Sequence, residues 1–179
     1  MRRHPWIFDT SVERIDGPVR NGDTVLVARH DGTPLARAGV SLASRIRARV
    51  WHFAPDSPVD HAFFRRRITQ AIARRLAHPS LRGQQGLRLV HGEADGLPGV
   101  IVDRFGAVAV LQLTFAGAER WREAIVDALR RALPELEALY ERSDSGARRL
   151  EGLEPRTGLV FGTLPETVVI EEYGVRLLV

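Results

Sequence analysis

Along the first fifty residues apolar and polar positions alternate in short runs, the period of strands with one buried face. Trp6-Ile7-Phe8 is such a run, and Asn21-Gly22-Asp23 turns the chain into Thr24-Val25-Leu26-Val27-Ala28. Asp31-Gly32-Thr33-Pro34 turns it again before Leu35-Ala36-Arg37-Ala38. From Ser44 to Trp51 the alternation puts Ile46, Ala48 and Val50 on one face and Arg45, Arg47, Arg49 and Trp51 on the other. Several short strands in so little sequence predict a small barrel or a strongly bent sheet.

The period then changes. After Pro55-Asp56-Ser57-Pro58, Phe64, Ile68, Ile72 and Leu76 recur every fourth residue and predict a helix over 59–77, amid Arg65, Arg66, Arg67, Arg74 and Arg75. Strands are expected at 87–91, 100–103 and 108–114. A helix is expected over 117–133, with Trp121, Ile125, Leu129 and Leu133 inward and Pro134 as its stop. Further strands are expected at 136–141 and 159–161, and a hairpin of 168–171 and 175–179 turns at Tyr173-Gly174. The expected class is α+β: a small barrel in residues 1–57, then a helix and a β-β-α-β-β unit in 58–179, with no Rossmann domain.

Composition narrows the function classes. The 179 residues are 44% hydrophobic and 27% charged, the values of a globular chain. No stretch approaches the roughly 18 unbroken apolar residues of a membrane span, and the start lacks the apolar core of a secretion signal, so the cytoplasm is expected. Zero cysteines exclude disulfides, zinc–thiolate centres and a thiol nucleophile. All 26 basic residues are arginine. Residues 1–90 carry 16 arginines against 7 acids, whereas residues 91–179 carry 10 against 15, within a net charge of +4. A cationic front half is suited to a polyanion, and arginine both forks phosphates and stacks on bases.

The candidate chemistry is thin. No glycine-rich phosphate loop appears, and the histidines at 4, 30, 52, 61, 78 and 91 show no metal-ligand spacing, so no metal is expected. Glu93 and Asp95, within His91-Gly92-Glu93-Ala94-Asp95-Gly96-Leu97-Pro98-Gly99, have the residue types of an acid/base pair, but a loop rich in Gly and Pro favours carboxylates that tie down backbone N–H groups. Asp103-Arg104 is read as a local ion pair. Ser143 and Asp144 after Tyr140-Glu141-Arg142 lack a neighbouring histidine base, which favours an Arg142–Asp144 pair over a nucleophile. The basic set is the stronger functional signal: Arg2, Arg3, His4, Trp6, Arg45, Arg47, Arg49, Trp51, Arg65, Arg66 and Arg67 interleave guanidinium groups with rings, the combination that grips RNA. The competing readings are a free-standing binder of structured RNA and, more weakly, a small hydrolase using Glu93, Asp95 or Asp144.

Arg3-His4-Pro5-Trp6-Ile7-Phe8 and Ser44-Arg45-Ile46-Arg47-Ala48-Arg49-Val50-Trp51 resemble the N-terminal PUA domain of the bacterial ribosomal RNA large-subunit methyltransferase I family. His91-Gly92-Glu93-Ala94-Asp95-Gly96-Leu97-Pro98-Gly99-Val100-Ile101-Val102-Asp103-Arg104, Tyr140-Glu141-Arg142-Ser143-Asp144 and Leu150-Glu151-Gly152-Leu153 resemble that family's middle domain. The resemblance implies ribosomal RNA as substrate, methylated at carbon five of a cytosine with S-adenosylmethionine as donor. It also implies a third, Rossmann-like catalytic domain carrying the donor site and a cysteine nucleophile. Neither feature occurs in this sequence, so no catalytic or donor-binding residue carries over, and this chain alone is expected to bind no cofactor and to be inactive. Arg3, His4, Pro5, Trp6, Arg45, Arg47 and Arg49 carry over as surface and scaffold of the PUA part. The expected partners are ribosomal RNA and that catalytic domain, with a second copy of the chain also a candidate.

Overall fold

The computed structural model describes residues 4–179. Four antiparallel strands open the fold: β1 (Trp6–Phe8), β2 (Thr24–Ala28), β3 (Pro34–Val40) and β4 (Ile46–His52), in the order β1-β4-β3-β2. Ala36, Ala38, Ala48 and Val50 form a small core on one face of this sheet.

Helix α1 (His61–Ala77) follows, its first turn capped by the Asp60 carboxylate, which accepts from the Phe63 N–H at 2.8 Å. Phe64, Ile68 and Ile72 are buried as their spacing predicts. Leu76 is 51% exposed, because in the last turn Arg74 and Arg75 make the inward contacts, both to Asp95.

The remainder is a five-stranded sheet of β5 (Gly86–His91), β6 (Val100–Phe105), β7 (Val108–Leu113), β8 (Ala138–Ser143) and β9 (Arg156–Gly162), in sequence order. Only β7 and β8 run parallel, and α2 (Ala116–Arg120) and α3 (Arg122–Ala132) make the crossover between them. The helix expected over 117–133 is broken at Trp121, whose backbone leaves helical geometry while its indole N–H reaches Thr24 Oγ1 at 3.0 Å. A short α4 (Gly146–Leu150) precedes β9, and β10 (Val169–Glu172) pairs with β11 (Val175–Leu178) through the expected Tyr173-Gly174 turn. Both turn residues have positive φ, as a tight two-residue hairpin requires.

The expected fold class is therefore corrected. The described strands of the first part form an open sheet, not a closed barrel. The three strands expected at 87–91, 100–103 and 108–114 are present as β5, β6 and β7, so the β-β-α-β-β summary is one strand short. The β7–α2–α3–β8 segment is a parallel βαβ crossover within a mixed sheet, the Rossmann-like unit that the α+β reading denied. Both strands lie within two residues of their expected places, but which sheet edge β8 joins, and in which direction, is not legible from local periodicity.

The two parts share one core. Trp51 of β4 is buried among Phe63, Phe64 and Phe115, with ring centroids 5.3–6.3 Å apart. Phe115 packs against Gly39 of β3, where an added Cβ would come 2.8 Å from its ring; only glycine admits that approach. From the sheet, Leu89, Val102, Leu111 and Leu139 complete the core with α1 and α3.

Candidate nucleic-acid interface

The arginine face of β4 has a divided fate. Arg47, Arg49 and Trp51 follow one another on one side of the strand, as the alternation predicts, but that side turns toward the five-stranded part of the molecule. Arg49 is the clearest case. Its guanidinium lies 5.3 Å from the Trp6 ring centroid and 5.2 Å from that of Phe115, and it pairs with Glu93 at 3.1 Å and Glu151 at 3.0 Å. The Trp6 indole N–H donates to the same Glu93 oxygen at 2.7 Å. Arg47 donates to the Ser41 and Leu42 carbonyls and closes the turn between β3 and β4. Trp51 is only 2% exposed, so it is a core residue and not a platform for a base.

What remains on the surface is a smaller set. Arg45, Arg65 and Arg66 are exposed, and among the described residues none of the three has a carboxylate partner. Arg67 is half-buried, its guanidinium 5.6 Å from the Phe63 ring centroid. His4 is exposed, accepts from the Trp6 backbone N–H at 3.1 Å and meets the Trp6 ring edge-on at 5.5 Å. Trp6 itself, 37% exposed, presents the rest of its indole to solvent. Arg2 and Arg3 lie outside the described residues.

The acidic candidates are structural. Asp95 is buried and takes two hydrogen bonds from Arg75, one from Arg74 and one from the His91 backbone N–H, all at 2.6–2.7 Å. Glu93 is engaged through one oxygen by both Trp6 and Arg49. Ser143 is buried, donating to Glu141 at 2.8 Å and accepting from the Leu113 N–H. Arg142 and Asp144 do approach each other, at 3.8 Å. Asp103 and Arg104 do not: adjacent strand residues point to opposite faces, so Asp103 pairs across the sheet with Arg88 at 2.7 Å and Arg104 with Glu135 at 3.0 Å. The Asp103 carboxylate raises the pKa of Arg88. Among the described residues no cluster of histidine and carboxylate side chains is arranged to hold a metal.

Residues that sequence reasoning missed lie at the end of β4. His52 stands opposite Arg37 in the strand register, and beside it opens a depression of about 350 Å³ lined by Phe63, Arg66, Arg67 and Gln70. The His52 Nδ1 accepts from the Ala54 N–H at 3.3 Å, and its Nε2 is buried without a partner. Burial, then the charges of Arg67, Arg37 and Arg66, hold its pKa below the ordinary histidine value of 6.5. The signal was present as a histidine between an alternating strand and a Pro-rich link, but a lone histidine has no spacing to interpret.

S-adenosylmethionine would bind such a fold at the carboxyl end of the parallel strands, where strand passes into helix. That turn does not fit it. Phe115 is fully buried there, Gly117 is covered by the Phe115 and Trp51 rings, and the Ala116 N–H at the start of α2 already faces the Glu151 carboxylate.

Residues 1–53 match the PUA-like domain family. The chain is 49% identical to ribosomal RNA large subunit methyltransferase I of Cronobacter sakazakii, and 48% identical to the proteins of that name from Shigella boydii and Klebsiella pneumoniae. Each match covers 100% of this chain and 45% of the relative, so the chain spans less than half the length of the curated relatives it matches. Among solved structures, a protein of Streptococcus mutans described as an S-adenosylmethionine-dependent methyltransferase superposes with a TM-score of 0.77 at 18% identity. A second, described as a methyltransferase in complex with S-adenosylhomocysteine, gives 0.79 at 16%. Both cover 97% of this chain and 43% of the other, and they show the fold, with its mixed sheet. No helix among the described residues is long and apolar enough to cross a membrane. Over its whole length the chain is therefore similar to the N-terminal portion of ribosomal RNA large subunit methyltransferase I proteins, with a PUA-like domain at its head.

Proposed function

We propose that this chain is the substrate-recognition portion of an S-adenosylmethionine-dependent methyltransferase of large-subunit ribosomal RNA, modifying carbon five of a cytosine in the cytoplasm. The PUA-like sheet and the first half of α1 hold structured RNA through Arg45, Arg65, Arg66 and Arg67, together with His4 and Trp6 and, from the sequence alone, Arg2 and Arg3. Donor binding and catalysis belong to the part of such proteins that this chain does not span. The observation that carries the reading is the full-length match at 49% identity to a ribosomal RNA methyltransferase. The unpaired arginines around the PUA-like part support it, because a cation without a carboxylate partner keeps its charge for phosphates.

The chain's own residues would bind and orient, not react. Guanidinium groups neutralise RNA phosphates, while the Trp6–Arg49–Glu93 contact and the shared Trp51 core keep that surface at a set angle to the five-stranded sheet. The test is fluorescence anisotropy with labelled fragments of large-subunit ribosomal RNA across a salt series. The expected result is binding whose log affinity falls linearly with log salt, by about 0.7–0.9 per phosphate neutralised. Absence of binding at low salt overturns the proposal. Calorimetry with S-adenosylmethionine should show no heat of binding to this chain alone; saturable binding would overturn the division of labour.

A further inference from the structure

The depression at the end of β4 lies outside the matched PUA-like residues on one side and inside them on the other. His52 belongs to the PUA-like part, whereas Phe63, Arg66, Arg67 and Gln70 belong to α1. Its lining contains no carboxylate. Asp60, the acid on this end of α1, is occupied in capping the helix. The depression is thus bordered by two guanidinium groups, a carboxamide, a hydroxyl and an imidazole, all able to donate, and by no anionic side chain.

Those donors are held in place before any ligand arrives. Arg67 rests over the Phe63 ring, and its guanidinium also lies against Gly96, where an added Cβ would come within 3.3 Å of it. The His52 ring packs at 5.4 Å from the same Phe63 ring. Because Nδ1 accepts the Ala54 N–H, the proton of the neutral imidazole sits on Nε2, the buried atom that has no acceptor. A buried donor left without an acceptor is unfavourable, and an incoming anion removes that cost. The groups facing His52 are Arg37 across the strand pair and Arg66 and Arg67 from α1, all cationic.

We propose that this depression is a phosphate subsite for RNA, in which Arg66 and Arg67 hold one phosphodiester and the His52 Nε2–H donates to it, with Gln70 and Phe63 beside the attached nucleoside. This rests on the RNA-binding reading above and deepens it, since it joins the two parts of the chain in one contact. Phosphate chemistry alone is shared by RNA backbone, mononucleotides and inorganic phosphate. The RNA backbone is the source that the surrounding unpaired arginines favour.

The experiment uses the full chain with a labelled ribosomal RNA hairpin by anisotropy, and follows the His52 ring by nitrogen NMR. Arg66→Gln is the principal variant, since Arg66 is exposed and its loss leaves the core untouched; His52→Gln is the second. Each is expected to weaken RNA binding about tenfold, and Arg66→Gln to lower the salt slope by about one. In the wild type, RNA should shift the His52 ring signals and raise its pKa, while inorganic phosphate and cytidine monophosphate do so only weakly. If RNA binds but both variants keep wild-type affinity and slope and the His52 signals stay still, the subsite is overturned and the RNA-binding reading stands. If RNA does not bind at all, the reading itself fails. Tight binding of inorganic phosphate with RNA affinity unmoved by Arg66→Gln overturns the RNA backbone as the source.

Discussion

The two parts of the molecule use arginine for opposite purposes. In the five-stranded part most arginines are paired: Arg104, Arg120, Arg122, Arg131, Arg142, Arg148 and Arg156 each have a carboxylate partner, and Arg148 is itself buried. In the front part and the first half of α1, Arg20, Arg29, Arg37, Arg45, Arg47, Arg65, Arg66 and Arg67 have none among the described residues, though Arg37 and Arg47 are tied to backbone carbonyls. A guanidinium surrounded by acids is a strut, and one left alone on the surface is available to a polyanion. Charge totals by half of the chain already pointed this way. Pairing adds the finer point that Arg49, the most prominent member of the basic motif, is a strut.

The strongest way to break that contrast is to remove Arg49. Arg49→Ala leaves Glu151 buried without its cation, and urea unfolding should show a loss of about 3–5 kcal/mol. A loss below about 1 kcal/mol would mean that the pair behaves as an ordinary surface contact. Next in size is the double variant Arg45→Ala with Arg65→Ala. RNA affinity should fall on the order of ten- to hundredfold at low salt, with a slope smaller by about 1.5, while the melting temperature stays put. Arg149, exposed and without a carboxylate partner among the described residues, sharpens the comparison from the other side: Arg149→Ala should change RNA affinity by less than about twofold, since it lies outside the proposed surface.

The smallest effect concerns pH. His52 has a folded pKa below its unfolded value of 6.5, so the unfolded chain binds the proton first as pH falls. Its contribution to stability is present in full above that value and is lost as pH falls through the folded pKa. Melting curves of the wild type should therefore drop more between about pH 7.5 and 5.5 than those of His52→Gln. Identical drops would show that the ring is as solvated in the folded state as in the unfolded one.

How much of this was legible beforehand depended on which physical signal each element left. Helix α1 and the turn at Tyr173-Gly174 were plain, because a four-residue apolar row and a two-residue turn are local facts. The alternation over β4 was equally plain, yet its interpretation failed for Arg49 and Trp51. Periodicity says that two faces differ, and it cannot say that the polar-looking face is the one packed against another layer. Only the carboxylates of half-buried Glu93 and buried Glu151, distant in sequence, make that face an interior one. The parallel pairing of β7 and β8 was hidden for a similar reason: it is a long-range choice between edges that local sequence does not encode. Asp95 was legible as a loop anchor, since Gly and Pro around a carboxylate announce a tight connection, but its two arginines were not.

The chain has three tryptophans, and each lies where the front sheet meets the rest: Trp6 bonds Glu93, Trp51 enters the common core, and Trp121 bonds Thr24. Intrinsic fluorescence is therefore a built-in gauge of that junction. Any state in which the front sheet lifts away would redden the emission of all three indoles together, while leaving the far-ultraviolet signal of the helices in place. Loosening at the seam and loss of the fold can thus be told apart in a cuvette, with no label attached.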